Sequence, residues 1–189
     1  IRTLINILSA PASAKYMNTE LDAQRYEVAG VLPFGAVYGF VNDRVIQGPE
    51  QLPGKKIAIF DYDKAQGKLV RNFGARSDPS DVTNFAGKFN SGSVDIVISP
   101  GTAYRPLELY RGLGTKGGIV QYVLAQVSLQ VLIHPDRFPD GFGQASRTYI
   151  NSLFDRQLKI VQRYESDIES KYWIPVSDAN RIRYDEISR

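Results

Sequence analysis

Along this chain the hydrophobic positions switch between strand-like and helix-like spacing. Lys56-Ile57-Ala58-Ile59-Phe60 is a short β-favouring run. Asp61-Tyr62-Asp63 follows, and 64–73 then predicts a helix with Asp63 as its N-cap and Gly74 closing its end. Ser77-Asp78-Pro79-Ser80 carries another helix-start signal. Val82, Phe85, Ala86 and Phe89 stand at i, i+3, i+4 and i+7, one apolar helix face that Gly92 stops. The next strand covers 94–98, apolar apart from Asp95, and a third helix covers 104–113. Upstream, Leu4, Ile7, Leu8 and Pro11 suggest an interrupted helix over 1–17. Residues 26–40, rich in Val, Phe, Tyr and Gly, predict strands with a break near Pro33, and 47–54 predicts a loop or short helical turn.

Two longer patterns follow. Residues 119–133 form an apolar-rich β run in which Val127, Leu129 and Val131 alternate with Gln126, Ser128 and Gln130, and no Gly, Pro or Asn interrupts it. As one strand it would reach about 50 Å, at least twice an ordinary strand. A strand of that length is expected to leave one sheet and enter another, and the alternative is two strands with a hidden turn. Beyond His134-Pro135-Asp136, apolar residues from Phe142 through Tyr149, Leu158 and Ile168 to Tyr172 keep helical spacing, with Arg147, Asn151, Asp155, Lys159 and Arg163 on the other face. One long helix over 142–172 is expected to brace two lobes.

Strand and helix alternating in this way predict an α/β fold with a parallel-rich sheet. Ligands of such sheets bind beyond the carboxyl ends of the strands. That rule brings Asp61-Tyr62-Asp63 together with Ser99-Pro100-Gly101-Thr102 at the mouths of neighbouring strands. Tyr38, Tyr62 and Tyr104 fall at strand ends or helix starts, where their rings could stack on a solute; core packing is the competing role.

Charge and composition narrow the chemistry. The chain has 189 residues and 43% hydrophobic content, enough for a real core, and 23 basic against 20 acidic residues give +3. No basic run is dense enough to make nucleic acid a partner. The absence of cysteine removes disulfides, thiol catalysis and Cys-ligated zinc, and the single His134 removes a multi-histidine metal site. No stretch reaches the length of a membrane span, so no direct membrane insertion is expected. No cofactor is expected.

Three motifs look catalytic. Ile57-Ala58-Ile59-Phe60-Asp61-Tyr62-Asp63 is an apolar strand ending in Asp-x-Asp, the nucleophile pattern of haloacid-dehalogenase-like phosphatases, and Ser99 mimics a second element of that set. The set stays incomplete: Lys64-Ala65-Gln66 departs from the pattern, and Asp136 and Asp140 lie in a Pro-rich loop rather than at a strand end. His134 has no serine motif or acidic partner beside it. Gly112-Leu113-Gly114-Thr115-Lys116-Gly117-Gly118 lies after a helix and before a strand, the wrong order for a phosphate-binding loop.

Leu52-Pro53-Gly54-Lys55-Lys56-Ile57, a helix, and then Asn84-Phe85-Ala86-Gly87-Lys88-Phe89-Asn90-Ser91-Gly92-Ser93-Val94-Asp95 resemble the periplasmic solute-binding proteins of TRAP transporters. A Tyr-rich helix, a long crossing strand and a long bridging helix follow in the same order over about 26–172. Gly54-Lys55-Lys56-Ile57-Ala58, Asp61-Tyr62-Asp63-Lys64, Lys88-Phe89-Asn90 and Lys171-Tyr172-Trp173-Ile174 are similar to a divergent subgroup labelled as RND-type efflux-pump proteins linked to aminoglycoside resistance. A pump of that kind needs membrane-spanning helices, which this sequence lacks. The resemblance implies a type 2 periplasmic-binding-protein-like fold: 36–125 forms the lobe carrying most of the ligand cleft. Residues 1–35 and 126–189 form a second lobe, incomplete because the opening strands are missing. It implies a periplasmic, non-enzymatic receptor that hands a small-molecule solute to membrane transporter subunits, with Tyr38, Asp61, Tyr62, Asp63, Ser99, Thr102, Tyr104 and Arg105 as ligand-contacting residues. A domain that keeps this fold without binding a ligand is the remaining alternative. The family's carboxylate-gripping arginine falls at Ala58 and its asparagine near Ser99. A neutral or cationic solute is therefore expected over an organic acid, with Arg105 as the one available substitute clamp.

Overall fold

The structure is a computed structural model that describes residues 1–21 and 23–187. In chain order the elements are α1 (Arg2–Ser9), β1 (Asn18–Leu21), β2 (Gln24–Val41), β3 (Lys56–Phe60), α2 (Lys64–Asn72), β4 (Arg76–Ser80), α3 (Phe85–Asn90), β5 (Ile96–Pro100), α4 (Tyr110–Leu113), β6 (Gly118–Val120), β7 (Ala125–Ile133), α5 (Phe142–Ser152), α6 (Phe154–Ser166), β8 (Trp173–Ile174) and α7 (Asp178–Ile187). They divide into two compact units, the first of Ile1–Gly35 and Gln126–Arg163, the second of Ala36–Ala125 and Tyr164–Arg189. The C-terminal stretch from Tyr164 thus groups with 36–125, correcting the expectation that 126–189 lies wholly in the other lobe.

The second unit is built on strands in the order β4-β3-β5-β2-β6-β8. β3 is parallel to β4 and to β5, with Ile57 opposite Ile96, and β6 is parallel to β8. β2 runs antiparallel between β5 and β6, with Tyr38 opposite Ser99 and Phe40 opposite Ile119. Side chains alternate across this sheet. Phe40, Ala58, Val97 and Ile119 enter one core with Phe85, Phe89, Tyr104, Leu109 and Leu113. Val41, Ile57, Ile59, Ile96 and Val120 enter a second core with Val70, Ala75 and Ile174. Each fully buried Val, Leu, Ile or Phe side chain among them adds about 1.5–3 kcal/mol.

Local signals explain why α2 forms where it does. Asp63 Oδ1 accepts the Gln66 N–H at 2.9 Å, a cap on a donor the helix cannot pair itself. Gly74, at φ 67°, ends the helix in the left-handed region.

Several expected elements differ. Residues 77–80 are not a helix start but β4, whose parallel register sets Pro79 opposite Ile59. β4 is the edge strand, where a missing N–H breaks no ladder, and the helix start lies one step later, where Asp81 accepts N–H bonds from Thr83 and Asn84. β2 runs unbroken through Pro33 for 18 residues; its irregularity is Gly35, at φ 121°. The helix expected over 104–113 contracts to α4, since Pro106 has no N–H to donate and Glu108 sits at φ 52°.

The run 119–133 is two strands rather than one, β6 and β7, separated by 121–124. Tyr122 is drawn out of the strand: its ring stacks on Tyr184 at 4.6 Å and its hydroxyl donates to Asp185 Oδ1 at 2.6 Å. β7 pairs with β2 rather than folding back on β6. The long helix over 142–172 is also interrupted. Leu153 leaves helical geometry at φ −92°, ψ 7°, and side chains take up carbonyls of the last turn of α5, Ser152 Oγ donating to Tyr149 O at 2.6 Å and Gln157 Nε2 to Ile150 O at 3.0 Å. α6 ends at Ser166, before a short 3-10 turn at Ser170–Tyr172.

In the first unit, β1 pairs antiparallel with the start of β2, Asn18 opposite Glu27. Its apolar cluster is small: Ile5, Val31 and Phe154, flanked by Leu8, Val28 and Leu158.

Candidate functional site

β3 and β5 are parallel neighbours in register, so their carboxyl ends, Phe60 and Pro100, open on the same edge of the second unit's sheet. β2 arrives there antiparallel, placing Val37 opposite Pro100 and Tyr38 opposite Ser99. The edge therefore gathers Asp61-Tyr62-Asp63, Ser99-Pro100-Gly101-Thr102 and Tyr38, as strand order in such sheets requires of a ligand site.

The side chains differ in what they can offer. Asp61 and Asp63 are exposed, and one oxygen of Asp63 is engaged as the cap of α2. Tyr62 is 71% exposed and stacks on Phe60 at 5.4 Å. Tyr38 is half-buried, meeting Trp173 edge-on at 5.0 Å. Burial, and then the nearby charge of Glu165, hold its phenol above the ordinary value. Ser99 and Thr102 are buried, and the Ser99 hydroxyl donates to Pro100 O at 3.4 Å.

Of the two roles open to Tyr104, stacking on a solute and core packing, the structure shows the second. Its ring is 0% exposed and belongs to the core shared with Phe40 and Phe89, so it presents no face to a solute. Its hydroxyl is buried without a hydrogen-bond partner, and burial, then Glu169, push its pKa up to about 12. Arg105 is exposed, 3.9 Å from Glu169 Oε1, with its guanidinium over the rings of Tyr104 and Tyr110 at 5.5 and 5.7 Å. The three tyrosines do not form one stack: Tyr38 pairs with Trp173, Tyr62 with Phe60, Tyr104 with Tyr110 and Tyr172.

Two residues that sequence reasoning did not single out for ligand contact complete the edge. Glu165, near the end of α6, accepts the Ala36 N–H on Oε1 at 3.1 Å. A side chain at Gly101 would lie 3.1 Å from Glu165 Cγ and 3.3 Å from the Tyr38 ring, so the glycine lets carboxylate, ring and backbone pack together. Trp173 supplies the second aromatic wall. Glu165 carries no motif and lies 127 residues from Tyr38, a closeness that only the return of α6 to this unit creates.

Chemically, the edge pairs carboxylates with aromatic faces, the elements of cation recognition. Ala58, where an arginine clamp would stand, is 6% exposed and faces the same core as Phe60 and Tyr38. Among the described residues no group of three or more His, Cys, Asp or Glu is placed to hold a metal ion, and no helix is long and apolar enough to cross a membrane.

A sequence model of the family described as "Solute-binding protein AdeT 1/2" matches residues 1–189. The probable solute-binding protein AdeT1 of Acinetobacter baumannii is 44% identical over 192 residues, covering 100% of this chain and 62% of that protein. AdeT2 of the same organism is 25% identical over 184 residues, covering 97% of this chain and 76% of that protein. Among solved structures, a TRAP periplasmic solute-binding protein from Desulfovibrio salexigens with bound orotic acid superposes with a TM-score of 0.75 at 14% identity, over 97% of this chain and 60% of that one. The ectoine-binding protein of the TeaABC TRAP transporter of Halomonas elongata superposes with a TM-score of 0.68 at 14% identity, over 86% and 55%. The chain thus spans about three fifths of the length of AdeT1 and of the first of these structures. Its mixed α/β sheet is that of TRAP periplasmic solute-binding proteins, and by a match running from its first residue to its last it belongs to the AdeT 1/2 family of solute-binding proteins.

Proposed function

We propose that this chain acts in an extracytoplasmic receptor that captures a small neutral or cationic solute, an amine above all, and hands it to membrane transporter subunits from the periplasm. Contact with the solute is assigned to the carboxyl edge of β3 and β5, through Tyr38, Tyr62 and the adjoining Glu165 and Trp173. Asp61 and Asp63 add negative potential, and Ser99 and Thr102 line the edge from below. Tyr104 supports it from the core. The observation that carries this reading is the pairing of Glu165 with the Tyr38–Trp173 aromatic wall on a sheet face where position 58 is alanine. A carboxylate ligand would meet carboxylates there and no clamp, and an unpaired charge is costly to desolvate. Arg105 is engaged by Glu169 and two tyrosine rings.

Asp63 is engaged as the cap of α2, and among the described residues Asp61 belongs to no group of acidic side chains placed to hold a metal, which supports binding over phosphatase chemistry. Calorimetry on the whole protein with putrescine, spermidine and succinate tests this reading. Putrescine or spermidine should bind, and Glu165→Gln, which keeps the acceptor for Ala36, should weaken that binding at least about tenfold, or 1.4 kcal/mol. Micromolar succinate binding lost in Arg105→Ala would overturn the preference. Turnover of a phosphate ester with magnesium, abolished by Asp61→Asn, would overturn the class.

A further inference from the structure

The opposite face of the same sheet holds a second feature, independent of the solute reading. Here a partly open cavity of about 120 Å³ lies between the sheet, α2 and α7. Gly39, Val41, Ile96 and Val120 form its floor, with Val70 and Tyr184 among its walls. None of the described residues lining it is charged. Its two tyrosines spend their hydroxyls outside: Tyr184 donates to Gln47 O at 3.1 Å and Tyr122 to Asp185 Oδ1 at 2.6 Å. The cavity therefore presents hydrocarbon and ring surface and nothing with which to hold water or charge.

Gly39 is the second observation. It sits inside β2, opposite Ile98, between two neighbouring strands, where glycine weakens a sheet and often marks the close approach of a ligand or another backbone. Its φ is not in the left-handed region. A Cβ there would meet nothing nearer than Val120 Cγ2 at 4.0 Å. At Gly117 and Gly118 the situation is reversed, since a Cβ would come within 2.4 and 2.6 Å of packed atoms. Packing thus demands glycine at 117 and 118, while at 39 neither backbone nor packing does, and its effect is to keep space open on the cavity floor.

We propose that this cavity is a binding site for a small uncharged apolar ring, distinct from the carboxyl edge of the sheet. Its volume is comparable to that of cavities of about 150 Å³, which stay dry and take up benzene. α7 forms one rim of it, held by hydrogen bonds from Asn180 and Tyr184 to the Gln47 carbonyl and by the Arg183–Glu50 ion pair.

Benzene is the probe, with benzoate and benzylammonium as charged controls, and methyl NMR of the whole protein is the readout. Benzene should shift the methyl signals of Val41, Val70, Ile96 and Val120, and the two charged rings should not. Gly39→Val should fill the floor, leave the thermal midpoint equal or higher, and weaken benzene more than tenfold. Should the larger side chain lower the midpoint, Gly39→Ala keeps the test open and should weaken benzene severalfold with the fold intact. No shift at saturating benzene, equal binding of the charged rings, or unchanged affinity in Gly39→Ala would each overturn the site.

Discussion

The two units reach order by different means. The second unit buries two apolar layers, one on each face of its sheet. The first has an apolar cluster of only three buried residues, and Leu129, Val131 and Leu132 on β7 remain more than a third exposed. In place of a larger core it buries a charge. The Arg147 side chain is 1% exposed and donates to Glu27 Oε1 at 2.8 Å, Val28 O at 2.6 Å and Gln144 Oε1 at 2.9 Å. Glu27 in turn packs against Gly143 so closely that a Cβ there would fall 2.0 Å from its Oε1. Apolar burial is roughly proportional to area and forgiving of geometry. A buried ion pair depends on every partner being present. The second unit should therefore answer to lost volume and the first to lost partners.

The largest expected effect is in the second unit. Phe89 is fully buried, and its ring lies flush on Gly112, where a Cβ would come 2.3 Å from Cδ1. Phe89→Ala should cost about 3–5 kcal/mol. Amide exchange should show lost protection in β3 and β5, with α5 little changed. A uniform loss across both units would break the comparison.

Next comes the first unit's ion pair. Arg147→Ala strands Glu27, which is 18% exposed and so partly hydrated; about 2–3 kcal/mol is expected, below the range for a fully buried pair. Amides of α5 and the start of β2 should exchange faster. The double variant Arg147→Met with Glu27→Leu should regain much of the loss, because it removes the stranded charge as well as the pair. If the double variant is as unstable as the single one, shape rather than charge holds this unit.

The same contrast separates what the sequence made legible from what it did not. α2, β3 and α3 follow from nearest-neighbour signals such as the Asp63 cap, the Gly74 stop and the spacing of Phe85, Ala86 and Phe89, although Val82, expected on the same face, lies before α3 and is exposed. The carboxyl edge with Asp61 and Ser99 followed from strand order alone. Features set by distant partners were not legible. Pro79 becomes a strand residue because β3 offers a parallel edge. Residues 121–124 break a β run because Tyr184 and Asp185 hold Tyr122. The helix over 142–172 stops at Leu153 although its apolar spacing continues. Glu165 joins the candidate site through tertiary contacts that no local pattern announces, and the choice for Tyr104 between a cleft ring and core packing falls to the core because its neighbours bury it.

The smallest effect sharpens the picture of the second unit's α7 side. Tyr184 is half-buried, and burial, then the neighbouring Tyr122, push its pKa from 10.0 up to about 12. The fold favours the neutral phenol, so its contribution is fully present below pH 10. Between 10 and about 12 the unfolded chain releases this proton while the folded chain keeps it, so stability falls as pH rises through that window. Tyr184→Phe keeps the ring on Tyr122 and removes the hydroxyl with its bond to Gln47 O. At neutral pH it should cost about 0.5 kcal/mol or less, the low end for one hydrogen bond at an accessible carbonyl. Between pH 10 and 12 the variant should lose stability less steeply than the parent protein. The slope should not vanish, because Tyr104, also raised to about 12, remains in the opposite core. Denaturant titrations at stepped alkaline pH measure the two slopes. Equal slopes would mean that Tyr184 ionises as freely in the folded protein as in the unfolded chain, and α7 would then not seal its side of the sheet against solvent.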